Sequence, residues 1–426
     1  MQNHYHADSY YMATANPHPN HPKLKGEHNC DVCVIGAGFT GVSAALNLAE
    51  KGFNVILLES YKVGWGATGR NGGQAGGDPR LGVDELEALV GKENAHRHWD
   101  LNYAALDDMK ARIKQHNIHC GWQDGIINAI HKPSYVAEYK SYHDLLQREY
   151  GAEYIEFIEK DEMDDISSTS QYHGGLYNKR SGHLHPLNFV LGIAKAACEA
   201  GAKIFEHSEV LSYDRNTPTI LKTEQGQVKA KYVVLACNGY LGKTESRLAS
   251  SIMPINNFVL TTEPLGKERA EALIKNNAAI FDSRFVVNYW RLTEDHRLLF
   301  GGGENYRNRF PNDLSNFVRK YMLEVYPQLD DVKIDYAWGG TLAVTMNRMP
   351  DFGRLEPNIF YAQGYSGHGV VLAAFAGKLI AEALTGTAER FDLLANTPIK
   401  KFPGGTLLRW PGLVAGMLYY SIKDRL

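Results

Sequence analysis

Before residue 31 the chain shows no regular alternation of apolar and polar positions; after it, short apolar runs alternate with helical periods. Val32-Cys33-Val34-Ile35 is a continuous apolar run of the kind buried in a parallel sheet. A glycine-rich turn follows, then a helical stretch Val42–Lys51, which Gly52 ends from the position after the C-cap. Asn54–Leu58 is a second apolar strand, closed by Glu59, which completes a βαβ opening. The pattern then predicts a helix over Val83–Ile118, mixed short elements over 122–182, and a helix over Leu187–Ala200. Strand-like runs cover Lys203–Glu206, Val210–Tyr213, Thr219–Thr223 and Val228–Ala236, with a turn at Gln225-Gly226. Strands are expected over 254–262 and 285–302, with a turn near Asp295-His296. A helix over Asn312–Tyr326, a strand pair over Lys333–Met346 and a strand over Ile359–Ala362 follow. The stretch Val370–Leu384 is apolar nearly all round, so it reads as a buried helix. Gly412–Tyr420 reads the same way. Residues 1–28 are polar, with Pro17, Pro19, Pro22 and five histidines, and read as a flexible arm packing late on the body.

This order of elements makes the fold α/β. The length of 426 residues suits two or three domains or one large discontinuous one. A net charge of −3, with no basic stripe interleaved with aromatics, argues against nucleic acid as a partner. The first twelve residues lack the apolar segment of a secretory signal, and no apolar run reaches the ~18 residues of a membrane span. Five cysteines make no disulfide framework and fit the reducing cytoplasm. Cys30 and Cys33 stand on a predicted strand, where residues three apart face opposite ways, so a joint metal or redox role is not expected.

Three segments carry chemistry. In the first, Gly36, Gly38 and Gly41 form G-x-G-x-x-G between a strand and a helix, with Phe39 and Thr40 opening that helix. The glycines suit a tight turn, close approach to a pyrophosphate and close helix–strand packing, and the helix dipole favours the phosphates. Glu59, with Ser60 beside it, ends the next strand at the place of a ribose-binding acid; such an acid rejects a 2′-phosphate. The second segment runs from Gly64 to Gln74. Gly66, Ala67, Gly72 and Gly73 let backbone pass close to a flat ligand, Arg70 suits a phosphate or an anionic ring, and Asn71 offers an amide to a polar ring edge. The third is Gly364, Ser366, Gly367, His368, Gly369 and Val370, opening the buried helix, whose N-terminus would stabilise negative charge.

With these three segments in this order, the chain resembles the D-amino-acid-oxidase-like FAD flavoproteins, the class that includes glycine and sarcosine oxidases. More narrowly it resembles the bacterial enzymes that oxidise γ-glutamylputrescine. The stretches CDVCVIGAGFTG, GATGRNGGQ, SGHLHPLN, KYVVLACNGYLG, YWRLTEDHRLLFGGG, RMPDFGR, GYSGHGV and FPGG carry the likeness. The resemblance implies FAD, with the adenosine end on Gly36–Gly41 and Glu59. Val210 would meet the adenine, and Ala236, Asn238 and Gly239 would close over the ribose and diphosphate. Arg70–Gln74 and Gly364–Val370 would lie by the isoalloxazine. All five cysteines precede residue 238, whereas relatives with covalent flavin use a cysteine in the C-terminal half, so FAD is expected to be non-covalent.

The resemblance also implies a Rossmann-like FAD domain from 28–80, 183–250 and 345–426. A mixed-sheet substrate domain would come from 81–182 and 251–344, and residues 1–27 would form the arm. The active site is expected between the domains. In amino-acid oxidases of this class an arginine clamps the substrate carboxylate. The matching stretch Gly339–Pro350 has no arginine at that place, which favours a longer amine over a small amino acid. The expected reaction is oxidation of a primary amine to an aldehyde, with ammonia and hydrogen peroxide as products and oxygen as acceptor. His368 is the candidate for a cationic group beside the ring. Arg291 is the candidate partner for the γ-glutamyl carboxylate, and Trp65, Tyr289 and Trp338 are candidate walls. His183 and His185 read as capping or packing residues rather than metal ligands. Two readings stay open beside this one: a dehydrogenase of the same class that passes electrons to a quinone, and a non-catalytic dinucleotide-binding protein.

Overall fold

The computed structural model describes residues 6–242, 244–305, 310–407, 409 and 411. The expected helix Gly412–Tyr420 lies outside the described residues. Two sheets organise the chain. The first has the order β16 (Asp351–Glu356), β17 (Ile359–Gln363), β10 (Gly226–Leu235), β1 (Gly26–Ile35), β2 (Val55–Leu58) and β7 (Lys203–Phe205). A side branch carries β9 (Thr219–Lys222) on β10 and β8 (Ser212–Tyr213) on β9. The five strands from β17 to β7 run parallel, so their carboxyl ends share one edge. The second sheet has the order β15 (Ile334–Val344), β11 (Met253–Thr262), β14 (Leu298–Asn305), β13 (Tyr289–Leu292), β12 (Ala279–Asp282), β4 (Gln123–Ala129), β6 (Gly175–His183) and β3 (Gln74–Ala75). In it β5 (Ile155–Ile158) pairs with β6, and every pair is antiparallel except β12 with β4.

The helices sort by the face they cover. The strap helix α1 (Tyr10–Ala13) precedes the sheets. Helices α2 (Phe39–Glu50), α4 (Lys92–Gln115), α7 (Pro186–Glu199) and α11 (Gly369–Leu384) form a layer on the first sheet, with α3 (Val83–Val90) and α12 (Glu389–Ala395) beside it. Val32, Val34, Val55, Leu57 and Val234 face this layer and share one core with it. Cys33, Ile35, Ile56, Leu58, Val233 and Leu235 point the other way, into a core closed by α8 (Ser246–Ala249). Helices α5 (Val136–Tyr150), α6 (Lys160–Ile166), α9 (Lys267–Leu273) and α10 (Leu314–Val325) belong to the second sheet. There Val318, Met322 and Val325 of α10 pack on Phe258, Leu260 and Phe300. Helices α2 and α11 touch at Gly377, where an added Cβ would stand 2.2 Å from the Ala44 nitrogen.

Several expectations change. The helix expected over 83–118 breaks at Gly91, whose φ of +81° lies outside the helical range. The strand pair expected over 333–346 is the single strand β15, which holds its register with β11 straight through Gly339-Gly340. Cys30 and Cys33 share one core instead of facing opposite ways. The Asp31 and Val32 nitrogens both donate to the Asn54 carbonyl, at 2.9 and 3.2 Å, and β1 and β10 change face together here while keeping one register, as Cys30 and Ala230 share a core with Cys33 and Val233. Both thiols are free, and burial, with Cys30 alongside, pushes Cys33 well above the ordinary range.

The expected domain boundary is crossed twice. Gln74–Ala75 pairs with β6 of the second sheet, and α4 packs on α11 of the first-sheet layer because its apolar face, including Leu101, Ala105 and Met109, belongs to that core. The arm is built into the body. Tyr10 and Tyr11 are buried, Asn16 N–H donates to Asn188 Oδ1 at 2.7 Å, and Leu24 N–H to Ser208 Oγ at 2.9 Å. Two aromatic side chains, hidden in a proline- and histidine-rich stretch, supply the apolar area that a flexible arm would lack.

Candidate active site

At the shared edge of the first sheet, β1 passes into α2 through Gly36–Gly41. A Cβ on Gly41 would stand 1.8 Å from the Gly36 carbonyl oxygen, so only glycine lets the helix start this close to its strand. Helix α2 begins at Gly38, which brings no side chain to cap it. The Phe39 N–H donates to Thr68 Oγ1 at 3.1 Å, tying this turn to the next loop. Glu59 ends β2. Its two oxygens accept the N–H groups of Ala37 at 2.7 Å and Tyr61 at 2.9 Å. Burial nevertheless raises its pKa to about 6. Ala236 lies across from this turn, its N–H donating to the Ile35 carbonyl at 2.9 Å, while Val210 is buried in the core on the far side of the sheet.

The loop Gly64–Gln74 then crosses from the first sheet to the second, and most of its polar groups are already engaged. Asn71 donates to the Ala67 and Thr68 carbonyls and accepts from Gly73 N–H at 2.8 Å, so its amide shapes its own loop and is not offered to a ring edge. Arg70 gives Nε to the Trp65 carbonyl at 2.7 Å and Nη1 to the Gly339 carbonyl at 3.1 Å, with its guanidinium over the Trp65 ring. Gln74 Nε2 reaches the Ile280 carbonyl at 2.9 Å. Gly66 lies under the Tyr240 ring, and Gly72 under the Tyr289 ring. Gly73 has φ +76°, and a Cβ there would meet the Leu184 carbonyl oxygen at 2.1 Å.

The loop before α11 closes the site from the third side. Thr40 Oγ1 and Tyr365 OH lie 2.7 Å apart, joining the starts of α2 and α11. The Gly364 N–H donates to Asn238 Oδ1 at 2.9 Å, which brings the turn Ala236–Gly239 to the same place. Ser366 N–H donates to the Ala343 carbonyl at 2.9 Å, and Arg80 Nε donates to the Ser366 carbonyl at 3.0 Å. His368 is the N-cap of α11 but does not cap it with its side chain. Its Nε2 is buried with no partner among the described residues, and a Cβ on Gly76 would meet it at 3.2 Å. Burial, then the Arg80 charge, lowers its pKa to about 4. The expectation of a cationic His368 is therefore corrected: the imidazole is neutral at pH 7, and the permanent charge beside this loop is Arg80.

Of the four substrate candidates, three serve the fold. Arg291 is buried and spends four of its N–H donors: Nε on the Gly72 carbonyl at 2.8 Å, Nη1 on that of Leu292 at 3.0 Å, and Nη2 on that of Leu184 at 3.0 Å and on Tyr11 OH at 3.2 Å. No fork remains for a substrate carboxylate. Trp338 is 2% exposed and its indole N–H donates to the Arg70 carbonyl at 2.9 Å. Trp65 is stacked on Tyr61 at 4.0 Å and edged by Tyr240 at 5.5 Å. Tyr289 alone stays partly open, its ring lying over Gly72 and Gly301 and its OH donating to Asn257 Oδ1 at 2.5 Å. His185 accepts the Asn188 N–H at 3.1 Å and so caps α7, and His183 Nε2 meets the Asn277 carbonyl at 2.8 Å. Among the described residues no three metal-ligating side chains come together.

The chain as a whole has counterparts among known proteins. A family model described as FAD dependent oxidoreductase matches residues 31–383. The chain belongs to that family. The gamma-glutamylputrescine oxidoreductase of Escherichia coli is 42% identical over 422 residues, covering 99% of each chain. A probable oxidoreductase of Haemophilus influenzae is 37% identical and covers 99% of this chain and 98% of its own. Among solved structures, the glycine oxidase of Geobacillus kaustophilus superposes with a TM-score of 0.74 at 19% identity, over 86% of this chain and 97% of its own.

FAD is thus the cofactor, and the residues fit it. At the start of α2 the N-cap Gly38 puts no side chain between a diphosphate and the backbone, and Glu59 retains acceptor capacity for ribose hydroxyls. Arg80, Thr68, Tyr240 and Tyr365 escaped the sequence reading. Thr68 and Tyr365 lie inside motifs already singled out, but only tertiary contact shows that they join those motifs together.

Proposed function

We propose that this protein oxidises the primary amine of γ-glutamylputrescine, or of a related γ-glutamylated polyamine, to the aldehyde. The observation that carries the proposal is the full-length likeness to the Escherichia coli enzyme named for that substrate. A second feature supports it: β15 carries no arginine, so this strand presents no guanidinium to a small amino acid held near the ring. With oxygen as acceptor the balance is R–CH2–NH3⁺ + O2 + H2O → R–CHO + NH4⁺ + H2O2. When bound, FAD supplies the two-electron acceptor for the C–H bond beside the nitrogen.

The chain's own part is to bind, orient and dry the amine. An alkylammonium has a pKa near ~10, so it must lose a proton before its nitrogen lone pair can assist. Burial against apolar surface favours that loss, and the Tyr289 ring is the wall we assign to it. The Gly36–Gly41 turn with Glu59 would hold the adenosine diphosphate. The loops Arg70–Gln74 and Gly364–Val370 would hold the ring without a covalent bond: neither loop carries a cysteine, Cys30, Cys33 and Cys120 are buried, Cys198 lies in α7, and Cys237, just past β10, has its thiol pushed up to about 12 by burial and Glu59. Among the described residues no single helix is long and apolar enough to cross a membrane, and five free cysteines favour a reducing compartment, the cytoplasm.

The test is an anaerobic absorbance titration with γ-glutamylputrescine, putrescine, sarcosine and D-alanine, followed by air. Bleaching of the flavin bands by γ-glutamylputrescine, with colour and peroxide returning in air, is expected. Bleaching without return in air makes the protein a dehydrogenase. Bleaching by sarcosine or D-alanine instead overturns the substrate assignment.

A further inference from the structure

The N-terminal segment does more than cover the surface. Tyr11 is fully buried and stands edge-on to Trp338, with ring centres 5.3 Å apart, and to His185 at 4.8 Å. Its hydroxyl accepts the Nη2–H of Arg291 at 3.2 Å. The same Arg291 donates Nε to the Gly72 carbonyl at 2.8 Å, and Trp338 donates its indole N–H to the Arg70 carbonyl at 2.9 Å. So the two second-sheet residues in contact with Tyr11 each hold one carbonyl of the Gly64–Gln74 loop. The neighbouring Tyr10 takes a different route: its hydroxyl donates to Asp295 Oδ1 at 2.9 Å, in the turn between β13 and β14.

The matched family model begins at residue 31, whereas the Escherichia coli and Haemophilus influenzae relatives align over 99% of this chain. The strap therefore lies outside the shared FAD-binding domain and acts on a loop inside it.

We propose that Tyr11 is a positioning residue of the cofactor site: through Arg291 and Trp338 it sets the carbonyls of Gly72 and Arg70, and with them the path of the loop along the flavin ring. This extends the FAD assignment to a segment that no cofactor contact would reveal. The loop needs such a clamp because it is rich in glycine, so its backbone loses much conformational freedom when it is ordered. Gly73, with φ +76° and the Leu184 carbonyl against its Cα, cannot be stiffened by a side chain. The restraint must come from hydrogen-bond partners, and Arg291 and Trp338 add two from outside the loop to those that Asn71 makes within it.

The experiment is amide hydrogen exchange and FAD release on the full-length holoenzyme, comparing Tyr11→Phe, Tyr11→Ala and Tyr10→Phe with the parent. Tyr11→Phe keeps the ring and removes only the bond to Arg291. It is expected to speed exchange at 70–74 about tenfold, shift the visible circular dichroism of the bound flavin, and release FAD faster. Tyr11→Ala should do so to a greater degree. Tyr10→Phe loses its bond to Asp295 and should leave loop exchange and FAD release within about twofold of the parent. If Tyr11→Phe leaves exchange at 70–74 and the flavin spectrum unchanged, the proposal fails. It fails equally if Tyr10→Phe moves them as much, because the strap is then a general stabiliser. A parent protein that binds no FAD would overturn the cofactor reading instead, and the loop exchange would still decide the clamp. Should Tyr11→Ala fail to fold, Tyr11→Phe decides alone.

Discussion

The two sides of the Gly64–Gln74 loop use polar residues to opposite ends. On the first-sheet side, fewer groups are spent: the N-cap residues of α2 and α11 supply no side-chain cap, although Thr68 takes the Phe39 N–H, and the Glu59 carboxylate accepts backbone N–H groups and still has unused acceptor sites. On the second-sheet side, groups are spent. Arg291 serves three carbonyls and a phenol, and the Trp338 indole serves a fourth carbonyl. Residue type is the same currency on both sides; hydrogen-bond commitment separates a binding group from a structural one.

The hardest test of the open side is Gly41→Ala. Its Cβ would meet a backbone oxygen at 1.8 Å, so strand and helix must part. Flavin content after purification should fall to near zero. Gly52→Ala, at φ +84° with open space around it, should keep its flavin and lose only about 1 kcal/mol of stability. Equal flavin loss in both would break the contrast.

On the spent side, Arg291→Met strands the carbonyls of Gly72, Leu184 and Leu292. A loss of about 3 kcal/mol or more in urea unfolding is expected. A variant of normal stability whose only defect is a raised KM for carboxylate-bearing substrates would return Arg291 to the substrate.

Glu59 gives a milder, pH-dependent effect. Its folded pKa of about 6 lies above the ordinary 4.5, so the stability linked to its protonation is present below 4.5 and is lost as pH rises through about 6. If ribose hydroxyls donate to Glu59 they favour its ionised form, so FAD should bind more tightly as pH rises through that same value. Glu59→Gln should flatten the profile and weaken binding about tenfold at neutral pH, ~1.4 kcal/mol, by isothermal titration of the apoprotein. An unchanged profile would remove Glu59 from the ribose.

The smallest effect is expected at His368. Its imidazole stays neutral down to about pH 4, so His368→Gln should change the rate of reoxidation in air by less than about threefold, ~0.6 kcal/mol. A tenfold drop, measured by stopped flow, would restore a charged role for His368.

Several features of the site were legible in the chain because they are local. The run from Val32 to Gly41, the acid eighteen residues on and the glycine turn before α11 are adjacent residues obeying one backbone rule each. The break at Gly91 and the change of face at Asp31 are not legible in the chain, since glycine is tolerated inside helices and a change of face shared by two paired strands leaves no compositional mark. The strap was misread because composition averages over twenty-eight residues, whereas Tyr10 and Tyr11 act through two.

By itself, the sequence determined the α/β class, the order of the three glycine-rich segments and the family, because each depends on which residues are neighbours along the chain. Only the tertiary structure decided that Arg291 and Trp338 hold a loop, that burial keeps His368 uncharged and that the N-terminal strap packs on the two residues that hold that loop. These depend on which donor meets which acceptor across 219 and 268 residues of separation, and on how much water burial removes, and neither quantity is written in any local pattern.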